Sequence, residues 1–345
     1  MHNDKDNEEK HMTCKTTYML AAIITAGMLM LTGCSSDNDP ISFTGYAMGT
    51  VVSETLYTDS DDISTDIERA IASVENTYLS RKIDKSEISK INSKASLSPV
   101  EMTDTLSEYM DTLLEVSRDS GGAFDPSVGA LSALWDFDND SEIIPSEDDI
   151  SKCLSYGSYK DIQLSGSSIS LPPGLKLDLG AAGKGIALDT AESILSSDKN
   201  VSGAVISVGE SSILTYGSKP DGSDWQIAIR DPRDKESTIG TLILSGTNCI
   251  GTSGDYQKYF EKNGRRYHHI LDPSTGYPAE SGVISVTVIC DSGIICDALS
   301  TACFVLGADE GMKLAEKYGA EAIFVKDDQS IVMTKGAEKL WQSAS

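Results

Sequence analysis

Positive charge is what this 345-residue chain has least of: 28 Lys and Arg stand against 53 Asp and Glu, for a formal net charge of -25. Such a surplus repels nucleic acid and anionic headgroups, which argues against a partner bound through basic patches, and no nucleic acid is expected. A phosphate-bearing ligand would have to be held locally, by a metal ion, by oriented N–H groups or by a placed lysine. Histidine is scarce too, at 4, and the 7 cysteines form no Cys-x-x-Cys pair or Cys/His cluster, which argues against a structural zinc site. Only 10 Pro accompany 29 Gly and 39% hydrophobic residues. This is not a disordered composition, and the length suffices for one large domain or two smaller ones with a substantial core.

One long apolar run is present, Thr16 to Gly33 (TTYMLAAIITAGMLMLTG), and it leads into Leu31-Thr32-Gly33-Cys34. That tetrapeptide resembles a bacterial lipobox, with small residues before Cys34 that suit signal-peptidase cleavage. Residues 1–33 are therefore expected to be a lipoprotein signal peptide, although its first part mixes acids with Lys10 and Lys15 rather than being plainly basic. Cys34 would carry the lipid and 34–40 would form a polar tether, placing the protein on the extracytoplasmic face of the cell membrane. The alternative is an uncleaved anchor, for which about 18 apolar residues are short. Past Cys34 the thiols are Cys153, Cys249, Cys290, Cys296 and Cys303, so at least one stays unpaired in a monomer. Cys249, Cys290 and Cys303 sit in apolar runs and are expected to be small buried hydrophobes.

The remainder alternates strand-like and helix-like stretches with no second linker and no internal repeat, which predicts one continuous unit. Val51–Tyr57, then 204–208, 225–229, 241–245, 283–290 and 321–325, read as strands. Ile63, Ile67, Ile71 and Val74 recur at helical spacing, as do Leu106, Met110, Leu113 and Val116 before Gly121-Gly122, and two helices are expected over 297–318 with a break at Gly307. Strands arriving in adjacent runs favour an α+β fold of antiparallel sheets flanked by helices over a doubly wound parallel sheet.

Three stretches could carry chemistry. DLGAAGKG (178–185) runs from a strand-like segment into a helix-like one, combining small residues, a helix N-terminus and Lys184. It matches neither G-x-G-x-x-G nor a P-loop, and by itself it reads equally as a tight turn capped by Asp178. Asp297-Ala-Leu-Ser-Thr301 stacks a carboxylate and a hydroxyl on one helical face. Two hard oxygens so placed suit Mg²⁺; alternatively the Asp caps its helix and Thr301 bonds back to a carbonyl. RYHHILDPSTGYPAE (266–280) packs turn formers around His269, which is either an aimed general base or a structural histidine.

In one order across residues 41–337 the chain carries MGT (48–50), an LS…SEISKIN stretch (79–92), GGAFDPSVG, DLGAAGKG, WQIAIRDP, TSGDY, HHILDPSTGYP and DALSTA. Together these resemble the ApbE-type FAD:protein FMN transferases, lipoproteins of the bacterial envelope. The resemblance implies a T-fold-related single catalytic unit over 41–337, with 338–345 as a C-terminal tail. It implies Mg²⁺-dependent transfer of FMN from FAD to a threonine hydroxyl of an acceptor protein, with AMP released. FAD hydrolysis to FMN and AMP, or simple flavin binding, are the alternatives. By resemblance Met48, Ala123, Phe124, Asp125, Asp178, Lys184 and Ile270 contact FAD. The Ala181 carbonyl, Asp297 and Thr301 hold the metal, and His269, rather than its neighbour His268, is the candidate base. The acceptor would bear a flavinylation motif and belong to a membrane redox complex or be an extracellular reductase. Two places depart from the family pattern: Arg81-Lys82 stands where an aromatic is usual, and Gly209-Glu210-Ser211 where Gly-Gly-Asn or Gly-Gly-Asp is common.

Overall fold

The computed structural model describes residues 39–60, 62–139 and 142–344. The expected signal peptide, Cys34 and the tether up to residue 38 lie outside them. Eight strands, β1 (Ile41–Ala47), β2 (Thr50–Thr58), β3 (Val201–Val208), β4 (Ser212–Gly217), β5 (Asn248–Gly254), β6 (Val283–Cys290), β7 (Glu321–Lys326) and β8 (Ile331–Met333), form one sheet in that spatial order. Every neighbouring pair is antiparallel, the α+β architecture expected. The sheet is thus a sequential meander whose long insertions supply everything else.

Helices cover one face. Ile67 and Ile71 of the helix Ile63–Ser73, Met110 and Leu113 of Asp104–Asp119, Ile186 of Gly180–Ser197 and Leu299 of Gly293–Leu306 share one core with Val286 and Val288 of β6. The opposite face, including Ile250, Ile289 and Ile323, packs on Trp225, Ile227 and Leu242 of a three-stranded sheet built from Trp225–Arg230, Thr238–Leu244 and Trp341–Ser343. Burial on both sides explains why VISVTVIC reads as an unbroken apolar strand rather than an alternating one. Asp104–Asp119 is capped by the Thr103 hydroxyl, which accepts the Leu106 N–H, and is followed by Gly121 and Gly122 at φ 64° and 94°.

Two expectations need correction. The late helix begins at Gly293 rather than Asp297, and its first N–H groups, those of Gly293 and Ile294, donate to the Asp189 carboxylate on the neighbouring helix. Asp297 therefore lies one turn inside and is not the cap. The expected tail also contains a strand: Trp341–Ser343 pairs with Thr238–Leu244, and the Trp341 ring fills the space beside Gly240 that a Cβ would occupy. The folded unit continues past residue 337 because this slot is made by a distant glycine.

The Gly180–Ser197 and Gly293–Leu306 helices touch backbone to backbone. A Cβ on Gly185 would lie 2.0 Å from the Gly293 carbonyl oxygen, and one on Gly293 would lie 2.2 Å from that of Gly185. This crossing brings the glycine loop against the second turn of the late helix. All five described cysteines are free; Cys249, Cys296 and Cys303 are buried and Cys290, opposite Cys249 in the β5–β6 register, is half-buried.

Candidate functional site

The crossing closes one end of a cavity of about 1210 Å³, above the roughly 300–1,000 Å³ usual for small-ligand pockets and large enough for a dinucleotide. Met48, Ala123, Phe124, Asp125, Asp178, Ala181, Lys184, His269, Ile270, Asp297 and Thr301 all line it. His268 does not. Its Nε2 lies 3.1 Å from the Ala279 carbonyl and its ring meets Phe304 edge-on, so it packs into the core.

The glycine loop enters the helix through Asp178, whose Oδ1 accepts the Gly180 N–H at 2.9 Å. Gly180, Gly183 and Gly185 all lie in the helix and none takes positive φ, so the stretch is a helical first turn rather than a glycine-permitted loop; the other Asp178 oxygen pairs with Arg81 Nε at 3.2 Å. The Asp178 N–H donates to the Pro126 carbonyl, joining this loop to GGAFDPSVG. In that loop Asp125 is spent on structure: Oδ1 accepts from the Ser127 N–H and hydroxyl, and Oδ2 accepts from the Tyr159 N–H. Burial raises its pKa. Met48, in a positive-φ turn at 53°, reaches over Gly183, where a Cβ would meet Met48 Cε at 3.4 Å.

Asp297 and Lys184 face the same cavity and act on each other's charge. Burial pushes the Asp297 carboxyl up to about 6, against the pull of Lys184, and burial lowers Lys184 against the pull of Asp297. The Lys184 ammonium donates to the Ser211 hydroxyl. Asp297 Oδ2 accepts the Gly185 N–H at 2.7 Å, and Oδ1 accepts the Ser212 hydroxyl at 2.9 Å.

This donor set fits a hard divalent cation. A carboxylate offers about four lone-pair sites, and two hydrogen bonds leave the rest of Asp297 available. Gly251 lets β5 pack directly against this carboxylate, since a Cβ there would stand 2.9 Å from Asp297 Oδ1. A carboxylate, a hydroxyl and a main-chain carbonyl are the ligands Mg²⁺ accepts while leaving positions for phosphate oxygens and water.

His269 is held by its N–H to the Lys258 carbonyl at 3.1 Å, and its Nδ1 is enclosed without a hydrogen-bond partner. Burial, reinforced by His268, Lys258 and Lys184, pushes its pKa down to about 3, so the imidazole is neutral at pH 7. The two departures from the family pattern form ion pairs at the cavity wall. Arg81, Lys82 and Lys258 converge on Asp138, at 3.4, 3.3 and 2.8 Å, and Glu210, at φ 61°, pairs with Arg230 at 2.6 Å.

Sequence reasoning missed Asp138, Lys258 and Ser212, and gave no role to Ser211 and Ser300, although both lie inside stretches it singled out. Isolated serines and surface charges carry no local signal; only their spatial partners mark them. Ser253 lay inside TSGDY, which reads as an ordinary turn but forms the end of β5.

The sequence profile of the ApbE family matches residues 48–324. A protein named FAD:protein FMN transferase from Vibrio cholerae is 30% identical over 85% of this chain and 90% of its own. Another so named, from Treponema pallidum, is 32% identical over 75% of each. Among solved structures, the ApbE protein of Thermotoga maritima superposes with a TM-score of 0.81 at 31% identity, covering 88% of this chain and 100% of that one. The apo flavinyl transferase ApbE of Pseudomonas stutzeri gives 0.77 at 32% identity, with 89% and 98% covered. The matched span holds every candidate lining the cavity, and sequence and fold agree over most of the chain: this protein belongs to the ApbE family.

Proposed function

We propose that the protein is a Mg²⁺-dependent FAD:protein FMN transferase that joins FMN to a threonine hydroxyl of an acceptor protein and releases AMP. The observation that carries this reading is the junction at Asp297, where a buried carboxylate, the Gly185 N–H, the Ser212 hydroxyl and nearby Lys184 meet inside one large cavity. The names of the relatives support it. Ala181, Asp297 and Thr301 would hold the cation, which when bound would neutralise charge on the pyrophosphate oxygens.

The chain's own groups do the rest. Asp178 and Lys184 orient the dinucleotide, and the start of the Gly180–Ser197 helix offers N–H groups to its phosphates. Met48, Ala123, Phe124 and Ile270 wall the flavin, while Asp125 holds the Phe124 loop in place. The threonine oxygen attacks the phosphorus on the riboflavin side, the bridging P–O bond breaks, AMP leaves, and the threonine proton passes to a neutral imidazole nitrogen of His269. An anionic substrate beside the ring offsets the repulsion from Lys258 and Lys184 and strengthens it as a base.

The test is incubation with FAD, Mg²⁺ and an acceptor carrying a D-x-x-[ST]-[GS]-A-[ST] motif. Flavin fluorescence retained on the denatured acceptor is expected. Free FMN alone would make the protein a hydrolase, and neither product would reduce it to a flavin-binding protein. His269→Ala should keep FAD affinity and lower transfer by about 10²–10⁴-fold; equal loss of both would make His269 structural. The lipid on Cys34 and the extracytoplasmic position belong to the same reading. Cys34→Ser should move the protein from the membrane to the soluble fraction, and unchanged fractionation would remove the anchor from it.

A further inference from the structure

The hydroxyl groups behind Thr301 form a chain whose direction is fixed by counting protons. Ser300 Oγ donates to the Asp297 main-chain carbonyl at 2.9 Å, and a carbonyl can only accept. A hydroxyl owns one proton, so toward Ser253 Oγ, 2.8 Å away, Ser300 accepts and Ser253 donates. The Ser253 proton is then spent. Toward Thr301 Oγ1 at 3.3 Å Ser253 accepts, and Thr301 is the donor.

We propose that Ser253 is a positioning residue: by taking the Thr301 proton it turns the lone pairs of Thr301 Oγ1 into the cavity as a ligand for the divalent cation. The inference rests on the metal reading given above. Ser253 suits the task because β5 is pinned on both sides, by the Thr252 N–H to the Ser211 carbonyl at 2.7 Å and by the Thr252 and Thr287 hydroxyls at 3.0 Å. Without Ser253 the Thr301 hydroxyl would turn back to a carbonyl of its own helix, the usual fate of a helical threonine. Residues that orient a ligand in this way typically change metal affinity by about 10–100-fold when removed.

The experiment titrates Mg²⁺ calorimetrically into the FAD-loaded protein for wild type, Ser253→Ala and Ser253→Thr, with thermal melting of each protein in the absence of metal. Ser253→Ala should weaken Mg²⁺ binding about 10-fold or more and leave the metal-free melting temperature unchanged. Ser253→Thr, which restores the hydroxyl, should recover most of the affinity. Unchanged affinity in Ser253→Ala overturns the inference while leaving the metal reading intact. A metal-free melting temperature that falls with the affinity, without rescue by threonine, assigns Ser253 a purely structural role and also overturns it. A wild-type protein that takes up no Mg²⁺ overturns both.

Discussion

Asp297 is the residue on which most of the site depends, because each of its oxygens already anchors a different element: the glycine-loop helix through Gly185 and β4 through Ser212. Asp297→Ala removes the only carboxylate proposed for the metal, and turnover should fall by more than about 100-fold at any Mg²⁺ concentration tested; a rate near wild type would refute the assignment. A second buried carboxyl, Glu54 on β2, is 2% exposed and far less useful. Burial pushes it up to about 7, partly offset by the Ser64 hydroxyl and reinforced by Glu68. The folded state thus holds this proton up to about 7, whereas the unfolded chain releases it near 4.5, so stability is lost as pH rises through that window. Glu54→Gln should therefore gain thermal stability relative to wild type at about pH 8 and much less at about pH 4.5; a gain independent of pH would show that Glu54 is not the group responsible.

Among elements, the crossing of the Gly180–Ser197 and Gly293–Leu306 helices decides whether the site exists. Gly185→Ala would press a methyl group into the Gly293 carbonyl at 2.0 Å, and overpacking of this kind costs about 1–3 kcal/mol or more. It would also pull the Gly185 N–H away from Asp297. We expect a lower melting temperature together with weakened Mg²⁺ binding; normal values for both would mean that the helices can separate without harm. This crossing was not legible in the sequence. Glycine in GKG reads as loop flexibility, and nothing local pairs it with the glycine of DSGII. Strands rich in apolar β-branched residues were readable, and β3 and β6 announce themselves by such runs. β5 was not, since Gly251, Thr252, Ser253 and Gly254 look like a turn until strands on both sides supply their hydrogen bonds.

For the whole molecule, the net charge of -25 opposes the approach of an anionic dinucleotide even though the cavity wall holds Arg81, Lys82, Lys184 and Lys258. The screening length shrinks from about 30 Å at 0.01 M salt to about 8 Å at 0.15 M, which weakens the repulsion, so the rate of FAD association should rise across that range. A falling rate would show that the local cations steer the ligand and dominate the acidic surface. By itself the sequence determined the α+β class, the acidic surface and the chemically able groups, because composition, periodicity and motif chemistry are local properties. Only the tertiary structure decided what those groups meet. Asp297 meets an N–H 112 residues away and Lys184 a hydroxyl 27 residues away, and contacts made across such separations depend on which helices and strands pack together, which no neighbouring residue encodes.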